Sequence, residues 1–175
     1  MPGSGKHPGR DDGLTVSAGP TLVPYDGSCA ASVIGWCAAS PFSREWVPSG
    51  ATDPDAVLAG WHTDADISGY LLLRDGVPVA YGELWVEAAE DEAELAHLVV
   101  DPALRRQGLG GTLANELVST ARALGLANVF LRVHPDNEVG IACYTRVGFV
   151  PVSDEEETAF NAGQPAAYRW MTRPD

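Results

Sequence analysis

The sequence predicts a mixed α/β fold, and three observations carry that prediction. Residues 70–74 and 77–87 flank Asp75-Gly76, a dipeptide that supplies the two positive-φ residues of a type I′ hairpin turn. The apolar run Leu98-Val99-Val100 stops at Asp101-Pro102 and is followed by a glycine-rich turn and a leucine-rich helix. A further strand, 128–133, follows that helix, so strand, helix and strand form a crossover unit whose two strands run parallel.

The remaining elements fall into order around these. A first strand lies within 15–23. Asp26 is positioned to cap a helix running to about Ala39, with Ala30, Val33, Ile34 and Cys37 at helical spacing and Pro41 as its stop. Phe42 to Trp46 reads as a short irregular or helical piece. Thr52 or Asp53 caps a second helix with Pro54 at its first position, ending near Trp61. In the strand 77–87, Tyr81, Glu83, Trp85 and Glu87 share one face. Glu90-Asp91-Glu92 turns the chain into a fourth strand, 93–100. The third helix carries Leu109, Leu113, Leu117, Ala121 and Leu124 on one stripe and ends at Gly125. A fourth helix spans 138–146. Residues 149–152 and 167–171 form a closing antiparallel pair, with 154–163 between them read as an acidic loop. The expected architecture has strands 1 to 4 antiparallel, then the crossover to strand 5, with about four helices flanking the sheet.

Length and composition narrow the function. At 175 residues the chain is expected to form one domain over 14–175, preceded by a disordered, Gly- and Pro-rich tail over 1–13. Within that tail, Gly3-Ser4-Gly5-Lys6 has neither the strand before it nor the helix after it that a phosphate loop requires. No apolar run approaches the ~20 residues of a membrane span, and residues 1–13, which lack an apolar stretch, are not expected to be a secretory signal. Three cysteines, Cys29, Cys37 and Cys143, with no Cys-x-x-Cys pair, argue against a disulfide framework or a metal site and for the cytoplasm. A net charge of −13 disfavours a nucleic-acid partner and suits cationic ones such as protonated amines.

The stretch Arg105-Arg106-Gln107-Gly108-Leu109-Gly110-Gly111, opening the third helix, carries the chemistry. Free N–H groups and the positive end of the helix dipole suit a pyrophosphate there, and glycine lets the backbone approach it. A Walker A loop needs Lys and then Ser or Thr after its last glycine, and Thr112 directly follows Gly111. A dinucleotide fingerprint needs an acidic residue closing the next strand, where this chain has Arg132 and His134.

The spacing Arg105-x-x-Gly108-x-Gly110 resembles the acetyl-CoA signature of the GNAT acyltransferase superfamily, and a second block supports the likeness. Asn137 follows the fifth strand, Tyr144 lies in the fourth helix, and Gly148-Phe149 closes it. The resemblance covers about residues 69–152. It implies a GNAT fold in which strands 4 and 5 splay apart, and an N-acetyltransferase that moves an acetyl group from acetyl-CoA to a primary amine, of a small molecule or of a peptide N-terminus, by direct transfer, without metal. Leu98, Val99 and Val100 would pair with pantetheine, and residues 105–111 would hold the pyrophosphate. Asn137 would contact pantetheine, cap the fourth helix, or both. Tyr144 would protonate the departing thiolate. A catalytically quiet acyl-CoA sensor is the alternative reading, and dimers are common among such proteins.

Three residues compete as general base. Glu94 lies eleven residues before Arg105, the spacing of the catalytic Glu in histone-type members of the superfamily. Glu83 is on the neighbouring strand. His97 titrates near neutrality when unperturbed. Strand parity puts Glu94 and His97 on opposite faces unless a bulge intervenes. Similar bacterial enzymes that acetylate the N-terminal alanine of a ribosomal protein carry a functional Glu where this chain has Arg132, so that particular activity is not expected. Phe42, Trp46 and Trp61 are expected mainly as core, with a wall of the acceptor site as the other reading.

Overall fold

A computed structural model describes residues 19–174; the expected tail and residues 15–18 of the first strand lie outside them. The chain orders as β1 (Thr21–Pro24), α1 (Ala30–Ala38), α2 (Pro54–Trp61), β2 (Ile67–Arg74), β3 (Val77–Glu87), β4 (Glu92–Val100), α3 (Leu109–Ala123), β5 (Asn128–Val133), α4 (Glu138–Arg146), β6 (Val150–Pro151), α5 (Asp154–Asn161) and β7 (Arg169–Thr172). Short 3₁₀ turns occupy Arg44–Trp46 and Pro102–Leu104.

One sheet of seven strands runs in the order β1-β2-β3-β4-β5-β7-β6. Every pair is antiparallel except β4 with β5. The β2–β3 hairpin turns on Asp75 (φ 53°) and Gly76 (φ 77°), the two left-handed residues of the expected turn. The parallel pairing covers only Glu92–Leu95 against Asn128–Leu131. Beyond Leu95 the strands part, β5 turning to β7 through Arg132 and Val133 while β4 continues along β3. This is the expected splay.

Two apolar layers sandwich the sheet. On one face α3 lays Leu109, Leu113, Leu117 and Ala121 against Leu72, Ala80, Leu84, Leu95, Val129 and Leu131. The helix comes so close that a Cβ on Gly82 would meet Leu117 Cδ1 at 3.0 Å. On the other face α1 and α2 pack Val33, Trp36, Cys37 and Leu58 over Leu71, Tyr81 and Val99. Among the described residues, no helix is long and apolar enough to cross a membrane.

Three expectations need correction. The acidic segment after β6 is not a loop but the helix α5, which makes five α-helices among the described residues. Ser153 and Glu156 close a capping box at its start, and its first turn holds Asp154, Glu155, Glu156 and Glu157, where the helix dipole favours negative charge. Asp26 does not cap α1. Its Oδ1 accepts from the Ser28 N–H at 2.9 Å, Gly27 reverses the chain at φ 87°, and the helix begins at Ala30 without a side-chain cap. Leu124 does not join the α3 stripe and is 61% exposed. It is the C-cap residue. Gly125 turns left-handed, and the Leu126 N–H returns to the Ala121 carbonyl, so Leu126 enters the core instead.

The packing predicts the cost of removing each leucine. Leu117→Ala should destabilise the fold by about 2–5 kcal/mol, because a fully buried side chain leaves a cavity between α3 and β3. Leu124→Ala should stay within about 0.5 kcal/mol. Urea unfolding of the two variants measures both.

Candidate active site

The splay leaves the β5-facing edge of β4 beyond Leu95 without strand pairing. The segment Leu98, Val99 and Val100 forms that edge. Val99 points its side chain into the α1–α2 layer, while Leu98 and Val100 pack on the α3 side. Immediately downstream, Asp101 Oδ1 accepts from the Ala103 N–H at 2.9 Å and starts the 3₁₀ turn. Arg106 (φ 66°) and Gly108 (φ 81°) then bend the chain into α3. Gly108 is the N-cap and provides no side-chain hydrogen bond, so the first N–H groups of a 15-residue helix have no capping side chain. A helix start of this kind suits an anion. Arg105 and Arg106 flank it, both exposed, and Gln107 is held by Arg74 Nη1 at 2.7 Å. Leu109 turns its side chain into the core. Gly110 and Gly111 are also where α4 approaches: a Cβ would lie 3.5 Å from Cys143 Sγ at Gly110 and 2.9 Å from Val147 Cγ1 at Gly111.

Helix α4 borders the same cradle. Asn137 caps it, its Oδ1 accepting from the Gly140 N–H at 3.0 Å. Tyr144 packs edge-on against Phe149 and against the main core. Burial, and then neighbouring Cys143, push the Tyr144 phenol above the ordinary tyrosine range, so it carries its proton at neutral pH.

The opposite face of the sheet holds the titratable cluster. Glu83 is buried completely, yet ionised. Its Oε1 accepts from the Tyr81 hydroxyl at 2.6 Å, and its Oε2 accepts from Trp85 Nε1 at 2.7 Å. His97 Nδ1 lies 2.9 Å from Oε2, and His62 Nε2 lies 3.3 Å from Oε1. Burial raises the Glu83 carboxyl. The hydrogen bond and charge of His97, with the bonds from Tyr81 and Trp85, outweigh that and leave it below the ordinary glutamate range.

A bulge brings His97 to this face. Ala96 pairs with Glu83 and Val99 with Tyr81, so His97 and Leu98 together oppose Gly82, and His97 takes a left-handed φ of 49°. The parity that would have separated His97 from Glu94 is thereby broken. The ring of His97 sits among Trp61 (4.4 Å between centroids), Trp46 (4.9 Å) and Trp85 (5.6 Å). An acceptor-only carboxylate fixes its tautomer: Nδ1 carries the proton toward Glu83, and in the neutral ring Nε2 is the basic nitrogen.

Glu94 sits apart from that carboxylate. Arg132 Nε lies 3.1 Å from its Oε1, off the line of a hydrogen bond, so the two meet as charges. Burial raises the Glu94 carboxyl, with Arg132 and His97 opposing. The Arg132 guanidinium is boxed by Trp85, Tyr168 and Trp170 at 5.4–5.5 Å and donates to Gln164 Oε1 at 2.8 Å. Phe42 packs against His134 beyond the end of β5. Trp46 and Trp61 pack on the second core layer and also wall His97, so each is both core and site. Strand parity places Tyr81 and Trp85 on the face of Glu83, but their role in holding it emerges only from the structure. His62 carries no sequence signal of its own, since it reaches the cluster from the end of α2 through tertiary packing.

This architecture has known counterparts. The model of the acetyltransferase (GNAT) family matches residues 33–149, and the chain belongs to that family. It is 41% identical over 59 residues to the ribosomal protein bS18-alanine N-acetyltransferase of Escherichia coli (strain K12), covering 34% of this chain and 40% of that protein. It is 34% identical over 95 residues to the mycothiol acetyltransferase of Corynebacterium glutamicum (strain R), covering 54% of this chain and 31% of that protein. The matches thus span well under half of these relatives. Among solved structures, PaiA N-acetyltransferase of Thermoplasma acidophilum in complex with coenzyme A superposes with a TM-score of 0.62 at 17% identity, covering 90% of this chain and all of that one. An acetyltransferase of Thermus thermophilus superposes with a TM-score of 0.67 at 21% identity, covering 89% of this chain and 97% of that one.

The buried carboxylate predicts an acid-side signature. A folded-state pKa below the unfolded one contributes stability that is complete above the ordinary glutamate value of about 4.3 and is lost as pH falls through the folded value. Urea midpoints should therefore fall less steeply for Glu83→Gln than for the parent protein as pH is lowered from about 5 to about 3. Parallel curves would show that the Glu83 charge adds nothing to folding.

Proposed function

We propose that the protein is an N-acetyltransferase moving an acetyl group from acetyl-CoA to a primary amine within a ternary complex. The observation that carries this reading is the opening between β4 and β5, flanked by the uncapped N-terminus of α3 and by the Glu83–His97 pair. Residues 105–111 with the start of α3 take the pyrophosphate, and the free β4 edge at Leu98, Val99 and Val100 takes the pantetheine amides. Asn137 supports the pantetheine side while capping α4. His97 Nε2 removes the proton of the acceptor amine, with Glu83 orienting the ring and stabilising the imidazolium. The amine nitrogen attacks the thioester carbonyl, and the C–S bond breaks with Tyr144 giving its proton to the thiolate. Glu94 serves as the counter-ion of Arg132.

The acceptor is an amine whose class the two named relatives do not narrow, since one name carries a protein alanine and the other mycothiol. Arg132, held between three rings and paired with Glu94, places a neutralised ion pair beside the opening.

Cofactor binding is read by thermal shift. Acetyl-CoA should raise Tm by mass action whereas NADH and ATP should not, and Gly110→Asp should abolish the rise while the fold persists. A rise that survives Gly110→Asp would move the pyrophosphate elsewhere.

Catalysis is read by CoA release over a panel of amines. Tyr144→Phe should lower kcat by roughly 10²-fold with acetyl-CoA affinity little changed. His97→Gln should lower kcat/KM by roughly 10²-fold or more and be partly rescued at high pH, where the amine is already neutral. Glu94→Gln should keep the parent pH profile; a lost acidic limb there would return the base to Glu94. No turnover with any amine would favour the acyl-CoA sensor.

A further inference from the structure

Glu83 carries two histidines, and the mechanism above uses one. His97 reaches Oε2 from the bulge of β4, and His62 reaches Oε1 from the C-cap of α2, on the other side of the same carboxylate. His62 Nε2 also lies 2.8 Å from the Tyr81 hydroxyl. Because that hydroxyl gives its proton to Glu83, its oxygen is left to accept, and His62 Nε2 must be the donor. The proton pattern is therefore fixed from end to end: His62 donates to Tyr81, Tyr81 to Glu83, and His97 to Glu83. The open position of His62 is Nδ1. Its side chain is 21% exposed, and it stands at the negative end of α2, where a cation is favoured.

We propose that His62 is a positioning residue that sets the proton affinity of His97 through the shared carboxylate. This rests on His97 being the base. A proton added at His62 Nδ1 puts a positive charge against Oε1 and offsets part of the field that stabilises the His97 imidazolium. A proton taken from the amine by His97 opposes a charge on His62 in the same measure, because coupling between two sites is reciprocal. In the transfer step the amine N–H bond breaks, its proton goes to His97 Nε2, and a charged His62 is driven to release its Nδ1 proton to water while Glu83 stays a carboxylate.

The other groups facing the cluster are few. Tyr25 packs its ring 5.7 Å from that of His62, and its phenol is pushed up to about 12 by burial first and then by Cys29, Asp55 and Asp26, so it stays neutral. Cys37 of α1 feels the charge of Glu83 and is likewise raised to about 12, chiefly by burial. On the β5 side, Glu94 is offset by Arg132.

The test is a histidine titration by heteronuclear NMR on the free protein, which needs neither an acceptor nor turnover. In the parent protein each ring should show a second inflection at the midpoint of the other. Whichever histidine charges second in the parent protein should, once its partner is replaced by Gln, charge at a pH at least about half a unit higher. Midpoints that ignore the partner substitution, with single inflections in the parent protein, would overturn the proposal. The parent titration decides the matter alone if either variant fails to fold. Coupled titrations in a protein that acetylates no amine would leave this inference standing and remove the acetyltransferase reading. An acidic limb of kcat/KM that does not follow His97 would remove His97 as base.

Discussion

A carboxylate with no exposure to water is the constraint around which one face of this protein is arranged. An isolated ionised carboxylate in such a place would cost far more than any single contact returns. Glu83 is tolerated because its oxygens are met by a phenol, an indole and two imidazoles drawn from β3, β4 and α2. Those four groups explain features that look unrelated. Tyr81 and Trp85 stand at two-residue intervals on either side of Glu83. His97 accepts a left-handed backbone at a bulge that a regular strand would not have. His62 ends α2 where its ring can turn inward.

The same strand serves the opposite face. Once β4 parts from β5, its edge at 98–100 is free, and the chain passes through Asp101-Pro102 directly into the uncapped start of α3. The uncapped start of α3 and the Glu83–His97 pair thus lie on either side of β4, one toward the α3 layer and the other toward the α1–α2 layer. On the acetyl-transfer reading proposed above, that separation keeps the phosphates of one substrate away from Glu83 and Glu94.

Local signals made most of this legible from the sequence. Asp75-Gly76, Asp53-Pro54 and Asn137 mark a turn and two helix starts by their own stereochemistry, and all three hold. The α3 stripe was readable from its period until Gly125, where a Schellman end substituted Leu126 for Leu124. The capping box of α5 was also local, and it was missed because four consecutive acids read as a solvated loop when their position in a first helical turn is overlooked. The cluster around Glu83 was less accessible for a different reason. Its assembly needs a bulge that reverses strand parity and a histidine 21 positions before Glu83 brought in by tertiary packing. No period or spacing encodes either. The pairing of Glu94 with Arg132, across neighbouring parallel strands, has the same character.

That last pair bears on how the opening adapts to what enters it. Glu94 and Arg132 face each other across β4 and β5 at the point where the strands divide, with aromatic rings stacked around the guanidinium. Prising the strands further apart would pull opposite charges from one another in surroundings that screen them poorly. The fork is therefore stiff at its root. Changes in the shape of the opening fall instead to the segments that touch the end of β5 from outside the sheet, Phe42 on His134 and Gln164 on Arg132, while the frame of the sheet stays fixed.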